Sequence, residues 1–225
     1  MKKTMIGILV SIFMLQVSAQ KRNFDGSIAA APMSTSPKGI ELPAPQIEGG
    51  MPLMDVLSKR VTTRAFSPEE LPMEELSNLL WAANGINRKE TGKRTAPSAR
   101  NAQEIDIYVS MPNGVFLYNP VENKLEYVLE DDIRAKISDQ KFFKDAPIVL
   151  IFVGNYEKMN GFSKEAKEFY SATDVGFVSQ NVYLYCAQAN LATVVCGAFN
   201  KEFLTKTLKI KDGKVLLVQP VGRMR

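Results

Sequence analysis

The chain has 225 residues, with 28 Lys and Arg against 24 Asp and Glu for a net charge of +4, two cysteines and no histidine. Without histidine there is no Ser-His-Asp or Cys-His catalysis, no His-ligated metal and no haem on a His axial ligand. Chemistry must come from carboxylates, lysine, tyrosine, thiols or a bound cofactor. The balanced charge argues against nucleic acid as a partner, and two cysteines without other ligands cannot build a structural zinc site.

Residues 1–19 have the form of a signal peptide. Lys2 and Lys3 give a basic start, Met5 to Leu15 an apolar stretch, and Val17-Ser18-Ala19 a small-residue cleavage site before Gln20. The stretch is shorter than the roughly 20 apolar residues of a membrane span, so none is expected after cleavage. No cysteine follows it for a lipid anchor, and no paired arginines precede it. Export of the unfolded chain to a bacterial periplasm is the expectation, and removal of Lys2 and Lys3 leaves a net charge of +2. The roughly 205 mature residues can bury one core as a single domain. Residues 20–50, rich in Ala, Pro, Ser and Gly, read as an extended arm. Residues 51–225 form the domain.

Met51 to Arg60 reads as a short helix with Leu53, Val56 and Leu57 on one face. Pro72 opens a second, carrying Leu76, Leu79, Leu80 and Ala83 and ended by Gly85. Ile105 to Ser110 alternates as a strand; Val115 to Tyr118 and Leu125 to Leu129 form a hairpin, with Asn119-Pro120 supplying turn chemistry. Asp131 and Asp132 can cap a helix running towards Asp139. The apolar run Ile148 to Val153 is of the kind buried on both faces of a sheet. A long helix from Lys164 to Ala189 buries a broad face that includes Phe169, Ala172, Val175, Val178, Val182, Tyr183 and Cys186. Leu191 to Phe199 is a short strand with its exit loop, Lys201 to Leu208 a helix, and Val215 to Val221 the last strand. Helices and strands mixed without strict alternation indicate an α+β domain in three layers, α-β-α, with helices flanking a central mixed sheet.

Three polar elements stand out. Arg60 and Arg64 bracket Val61, Thr62 and Thr63, β-branched residues suited to extended backbone whose N–H groups and hydroxyls can face a phosphate. The plainer account is that cations near a helix C-terminus complement its dipole. In Thr95-Ala96-Pro97-Ser98-Ala99-Arg100-Asn101, small residues would let a planar ring approach the backbone, with Ser98 and Asn101 on its polar edges; a solvated loop feeding a strand explains it equally. Cys196-Gly197 offers small residues at a strand exit, or simply a tight turn. Arg223 and Arg225 end the chain as anion-binding groups or as a frayed basic tail. Cys186 and Cys196 read as free buried thiols or as a pair joined after export. Trp81 is read as a core or interface anchor.

In this order the motifs resemble the nitroreductase superfamily, and within it the SagB-type, azoline-oxidase-like branch. The resemblance is carried by Leu42-Pro43-Ala44-Pro45, Leu57 to Phe66, Leu71 to Leu76, Leu79 to Ile86, Arg94 to Ala99, Gly176 to Asn181, Gly197-Ala198-Phe199 and Pro220-Val221-Gly222. It implies a homodimer with FMN at the subunit interface, reduced by NAD(P)H or another reductant and oxidised by a small-molecule acceptor such as a quinone or nitroaromatic. Arg60, Val61, Thr62 and Arg64 would hold the phosphate and ribityl chain together with Arg223 and Arg225. Pro97, Ser98 and Asn101 would approach the ring from the partner, and Cys196 and Gly197 would meet it near N5. The flavin carries the chemistry, so no side chain is named as catalytic and no metal is expected.

Four departures accompany the resemblance. Val61 and Thr62 stand where many members have Arg or His then Ser, and Arg100 where the branch usually has Gly. Glu104 replaces a common Pro, which predicts a more charged acceptor pocket. The signal segment is unusual for the family. Against the enzyme reading stands a non-catalytic protein that binds or sequesters flavin on the same fold.

Overall fold

A computed structural model describes residues 39–225; the signal segment and the arm up to residue 38 lie outside the described residues. The arm enters as strand β1 (Ile40–Glu41), paired antiparallel with Lys124 and Leu125, and buries Leu42 in the core. Helices α1 (Leu53–Lys59) and α2 (Met73–Asn84) follow, then a small hairpin of β2 (Ile86–Arg88) and β3 (Lys93–Arg94) that the sequence pattern did not predict. Strands β4 (Ile105–Met111), β5 (Gly114–Asn119) and β6 (Lys124–Leu129) form a meander. Its last turn is closed by the Asn119 carboxamide oxygen, which accepts from the N–H groups of Val121 and Glu122.

The helix expected after Asp131 is instead two short pieces, α3 (Arg134–Ile137) and α4 (Phe142–Asp145). The Asp132 carboxylate accepts from the Arg134 N–H, but Ser138 adopts extended backbone and stops the helix after one turn. Strand β7 (Ile148–Asn155), the 26-residue helix α5 (Lys164–Ala189), strand β8 (Leu191–Thr193), helix α6 (Lys201–Thr207) and strand β9 (Gly213–Arg223) complete the chain. Side-chain and backbone caps bound α5: the Ser163 hydroxyl accepts from Ala166 N–H, and Asn190 terminates it in the left-handed conformation.

The seven-stranded sheet runs β1-β6-β5-β4-β7-β9-β8, and every described pairing is antiparallel. Central strand β7 shows why the architecture has three layers. Ile148, Leu150 and Phe152 point to one face, where they pack with Leu76, Leu79 and Leu80 of α2 and Val175, Val178 and Val182 of α5. Val149, Ile151 and Val153 point to the other and meet Ile137, Phe143, Leu204 and Phe66. Period-two alternation on a strand apolar at every position thus fills two cores at once. Phe152→Ala is expected to destabilise the fold by about 3–5 kcal/mol, since a fully buried ring between α2, α5 and the sheet leaves a cavity that flanking strands cannot close. Urea unfolding measures it.

One expectation about α5 is corrected. Phe169 is 66% exposed, and Ala172 and Gly176 are exposed too, because the helix buries only the side facing α2 and the sheet. Leu53, Met54 and Leu57 of α1 are exposed likewise, and Val56 alone of that helix is buried.

Candidate functional site

Arg60 ends α1, its N–H still bonded to Val56 O, and its backbone then turns extended. The following residues lie along the sheet edge and the chain end. Thr63 N–H donates to Thr193 O at 3.0 Å, Phe66 bridges Met224, Ser67 N–H donates to Arg223 O at 2.9 Å, and Arg225 N–H donates to Ala65 O at 3.2 Å. The β-branched run therefore takes the extended form expected of it. The edge gives Arg60, Val61, Thr62 and Arg64 a rigid backing next to the last residues of β9.

Gly222 makes this crossing possible. A Cβ there would lie 2.4 Å from Pro147 Cδ and 3.5 Å from a Phe66 ring carbon, so the edge closes only over a residue without a side chain. Behind it a buried polar chain locks α5 to β8 and β9. Ser179 Oγ donates to Gln219 Oε1 at 2.9 Å, Gln219 Nε2 to Thr193 Oγ1 at 3.1 Å, and Thr193 Oγ1 to Pro220 O at 2.9 Å. Each member has a partner, which makes a buried network rigid rather than costly.

Tyr183 of α5 gathers the site. Its hydroxyl lies 3.1 Å from Thr62 Oγ1 and accepts from Val195 N–H at 3.0 Å, while the Arg60 guanidinium sits 5.4 Å from its ring centroid. From sequence Tyr183 was only another apolar position of the helix; no local motif marks its hydroxyl. Val195 leads into Cys196 and Gly197, which are held by Ser138 Oγ donating to Ala198 O at 3.0 Å and by Gln140. These two polar anchors from the α3–α4 connection carry no motif either. At Gly197 a Cβ would meet only Leu217 Cδ2, at 4.0 Å, so the loop presents an open, side-chain-free surface. Burial raises the Cys196 thiol above its ordinary range and outweighs the opposing charge of nearby Arg64, so the thiol stays protonated at neutral pH. Cys186, wholly buried, is raised further, and both cysteines are free.

Among the described residues Arg60, Arg64 and Arg225 have no ion pair. Arg223 has one: Nη1 donates to Glu75 Oε1 at 3.0 Å and Nη2 lies 3.0 Å from Oε2. Three guanidinium groups are therefore uncompensated, while the charge of Arg223 is already matched. The edge suits an anion beside a flat group laid over Gly197.

Pro97, Ser98 and Asn101 do not join this cluster within one protomer. Their loop is tied to the first half of α5, where Ala99 N–H donates to Asp174 Oδ2 at 2.8 Å. Asp174 precedes Tyr183 by nine residues, about 14 Å along the helix axis. Glu104 does not enlarge an open charged pocket as the sequence suggested; it is 0% exposed and turned inwards towards Asp174.

Residues 57–223 match the family model described as "Nitroreductase family". A provisionally named nitroreductase of Methanocaldococcus jannaschii is 36% identical over 194 residues, covering 82% of this chain and 96% of the relative. The crystal structure of a provisionally named nitroreductase from Ralstonia eutropha superposes with a TM-score of 0.80 at 41% identity, covering 85% of this chain and 91% of that one. A provisionally named NAD(P)H:FMN oxidoreductase from Staphylococcus epidermidis shares the fold alone, with a TM-score of 0.58 at 16% identity over 80% of this chain and 91% of that one. From the first residues of the Arg60 edge to the end of β9, this chain belongs to the nitroreductase family.

Proposed function

We propose that the protein is an FMN-dependent oxidoreductase that works as a homodimer, taking electrons from NAD(P)H or another reductant and passing them to a small acceptor such as a quinone or nitroaromatic. The observation that carries this reading is the Arg60–Arg64 edge: uncompensated guanidinium groups and the Thr62 hydroxyl beside the open backbone at Gly197. The donor set fits FMN. Arg60, Arg64 and Arg225 would neutralise the phosphate, Thr62 would bond the phosphate or ribityl chain, and the Cys196–Gly197 backbone would lie against the ring. When bound, FMN supplies the reversible two-electron chemistry that these side chains lack. Pro97, Ser98 and Asn101 would reach the ring of the partner's site, which accounts for their separation from Tyr183 within one chain.

The order of motifs from Leu42 to Gly222 favours the SagB-type branch within the family. We further propose that residues 1–19 direct export to a bacterial periplasm, where the electron donor need not be a nicotinamide. Anaerobic titration of the purified yellow protein tests the enzyme reading. NAD(P)H or a chemical reductant of similar potential is expected to bleach the visible bands, and a quinone to restore them. Bound flavin that no donor reduces would replace the enzyme by a flavin-binding protein.

A further inference from the structure

Below the Pro97–Asn101 loop lie two acids for which the redox reading has no use. Glu104 is 0% exposed, and neither carboxylate oxygen has a hydrogen-bond partner among the described residues. Asp174, 3% exposed, is close enough to Glu104 to share a hydrogen, and its Oδ2 accepts the Ala99 N–H at 2.8 Å. Two carboxylates at such range in a dry interior resist double ionisation and favour holding one proton between them. One proton between them turns Glu104 into a donor to Asp174 and removes both the repulsion and the orphaned oxygens.

No neighbouring charge does this instead. The field of Lys158 reaches Glu104, but its ammonium is bonded to Asp106 Oδ1 at 2.5 Å. Arg100, on the loop itself, is turned over the Phe162 ring, 4.7 Å from its centroid. On α5, Ser171 spends its hydroxyl on Glu168 O.

The loop needs an anchor. Arg100, Asn101 and Gln103 all have positive φ, at 53°, 56° and 51°, where a side chain costs free energy. Ser98 Oγ accepts from Gln103 N–H, and Arg94 Nε donates to Gln103 Oε1. Among the described residues, the Ala99 N–H to Asp174 Oδ2 bond is the one hydrogen bond that ties this strained turn to the long helix.

We propose that Glu104 and Asp174 share one proton and latch the Pro97–Asn101 loop to α5, making them positioning residues whose hold on the loop depends on pH. Its consequence for FMN rests on the reading above, in which this loop covers the partner's ring. Burial, and then the Asp174 charge, raise Glu104 to about 7. A carboxyl raised on folding supports the latched state fully below its unfolded value near 4.5. That support is lost as pH rises through about 7.

Amide hydrogen exchange of residues 98–103 in the purified protein, corrected for intrinsic rates, tests the latch between pH 5.5 and 8.5. Protection of the Ala99 amide is expected to fall about tenfold or more between pH 5.5 and pH 8.5 in the wild type, most of it before pH passes about 7. It should stay level in Glu104→Gln, whose amide donates to Asp174 at every pH. Wild-type protection independent of pH, or a pH dependence that survives in Glu104→Gln, would overturn the proposal. If that variant does not fold, the carboxyl carbon of wild-type Glu104 decides by NMR: titration near 7 supports the shared proton and titration near 4.5 contradicts it. The FMN dissociation constant, measured over the same range, should weaken in parallel in the wild type and not in the variant. A responsive loop in a protein that never binds FMN would sink the redox reading and keep the latch, whereas tight FMN binding over a loop indifferent to pH would do the reverse.

Discussion

Replacing Arg60 and Arg64 together by Ala is expected to abolish FMN retention while leaving the fold intact. Each guanidinium offers charge-assisted hydrogen bonds worth about 1.5–3 kcal/mol to a bound phosphate. At about 1.4 kcal/mol per decade, losing both weakens binding by roughly 10²–10⁴-fold, enough to strip the cofactor during purification. Neither side chain is in an ion pair among the described residues, and Arg64 is exposed. The change in unfolding free energy should therefore stay within about 1 kcal/mol, most of it from the lost Arg60–Tyr183 contact. Arg223→Ala should behave oppositely, because its partner is Glu75: a stability loss of up to about 1 kcal/mol, with a far smaller effect on FMN. Equilibrium dialysis with FMN and thermal unfolding of the three proteins separate the cases. Retention of FMN by the double variant would remove the phosphate site from this edge.

If the protein is the proposed homodimer, Phe177→Asp is expected to convert it into folded monomers and to lose FMN as a result. Phe177 stands exposed on α5 beside Gly176, where a Cβ would meet nothing within 4 Å. Leu53, Met54 and Leu57 of α1 and Val61 are exposed as well, and Met54 reaches 74%. So many large apolar side chains on α1 and α5 are costly in water and suit a subunit interface. Burying one phenylalanine contributes about 1.5–3 kcal/mol, and a two-fold interface counts it twice. An aspartate there loses that contribution and adds a desolvated charge. Sedimentation at micromolar concentration should show monomers with an unchanged circular dichroism spectrum. A variant that stays dimeric and yellow would place the interface elsewhere.

The parts of this molecule legible in sequence were those carried by long patterns. The run Ile148 to Val153 reads as a strand buried on both faces, and the apolar period of α5 gave its bounds at Lys164 and Ala189, while its Ser163 and Asn190 caps emerged only from the structure. The same apolar period misassigned Phe169, since periodicity counts apolar residues without knowing which face has a partner. The β2–β3 hairpin was hidden because Asn, Arg, Lys and Glu dominate it and no alternation marks its strands. Arg60, Thr62 and Arg64 were found because their spacing is itself the signal. Tyr183, Ser138 and Gln140 were not, because each acts through one hydroxyl or amide brought in from a distant element. Glu104 was read as a charge added to the acceptor pocket, and only tertiary packing reveals that it is buried facing Asp174.

Size-exclusion chromatography of the purified protein, with visible absorbance and mass identification of the released chromophore, tests the central claim most directly. The account predicts a dimer-sized peak with the visible absorbance of an oxidised flavin, which releases FMN at about one per chain. A colourless monomer that takes up no FMN when incubated with an excess would contradict it.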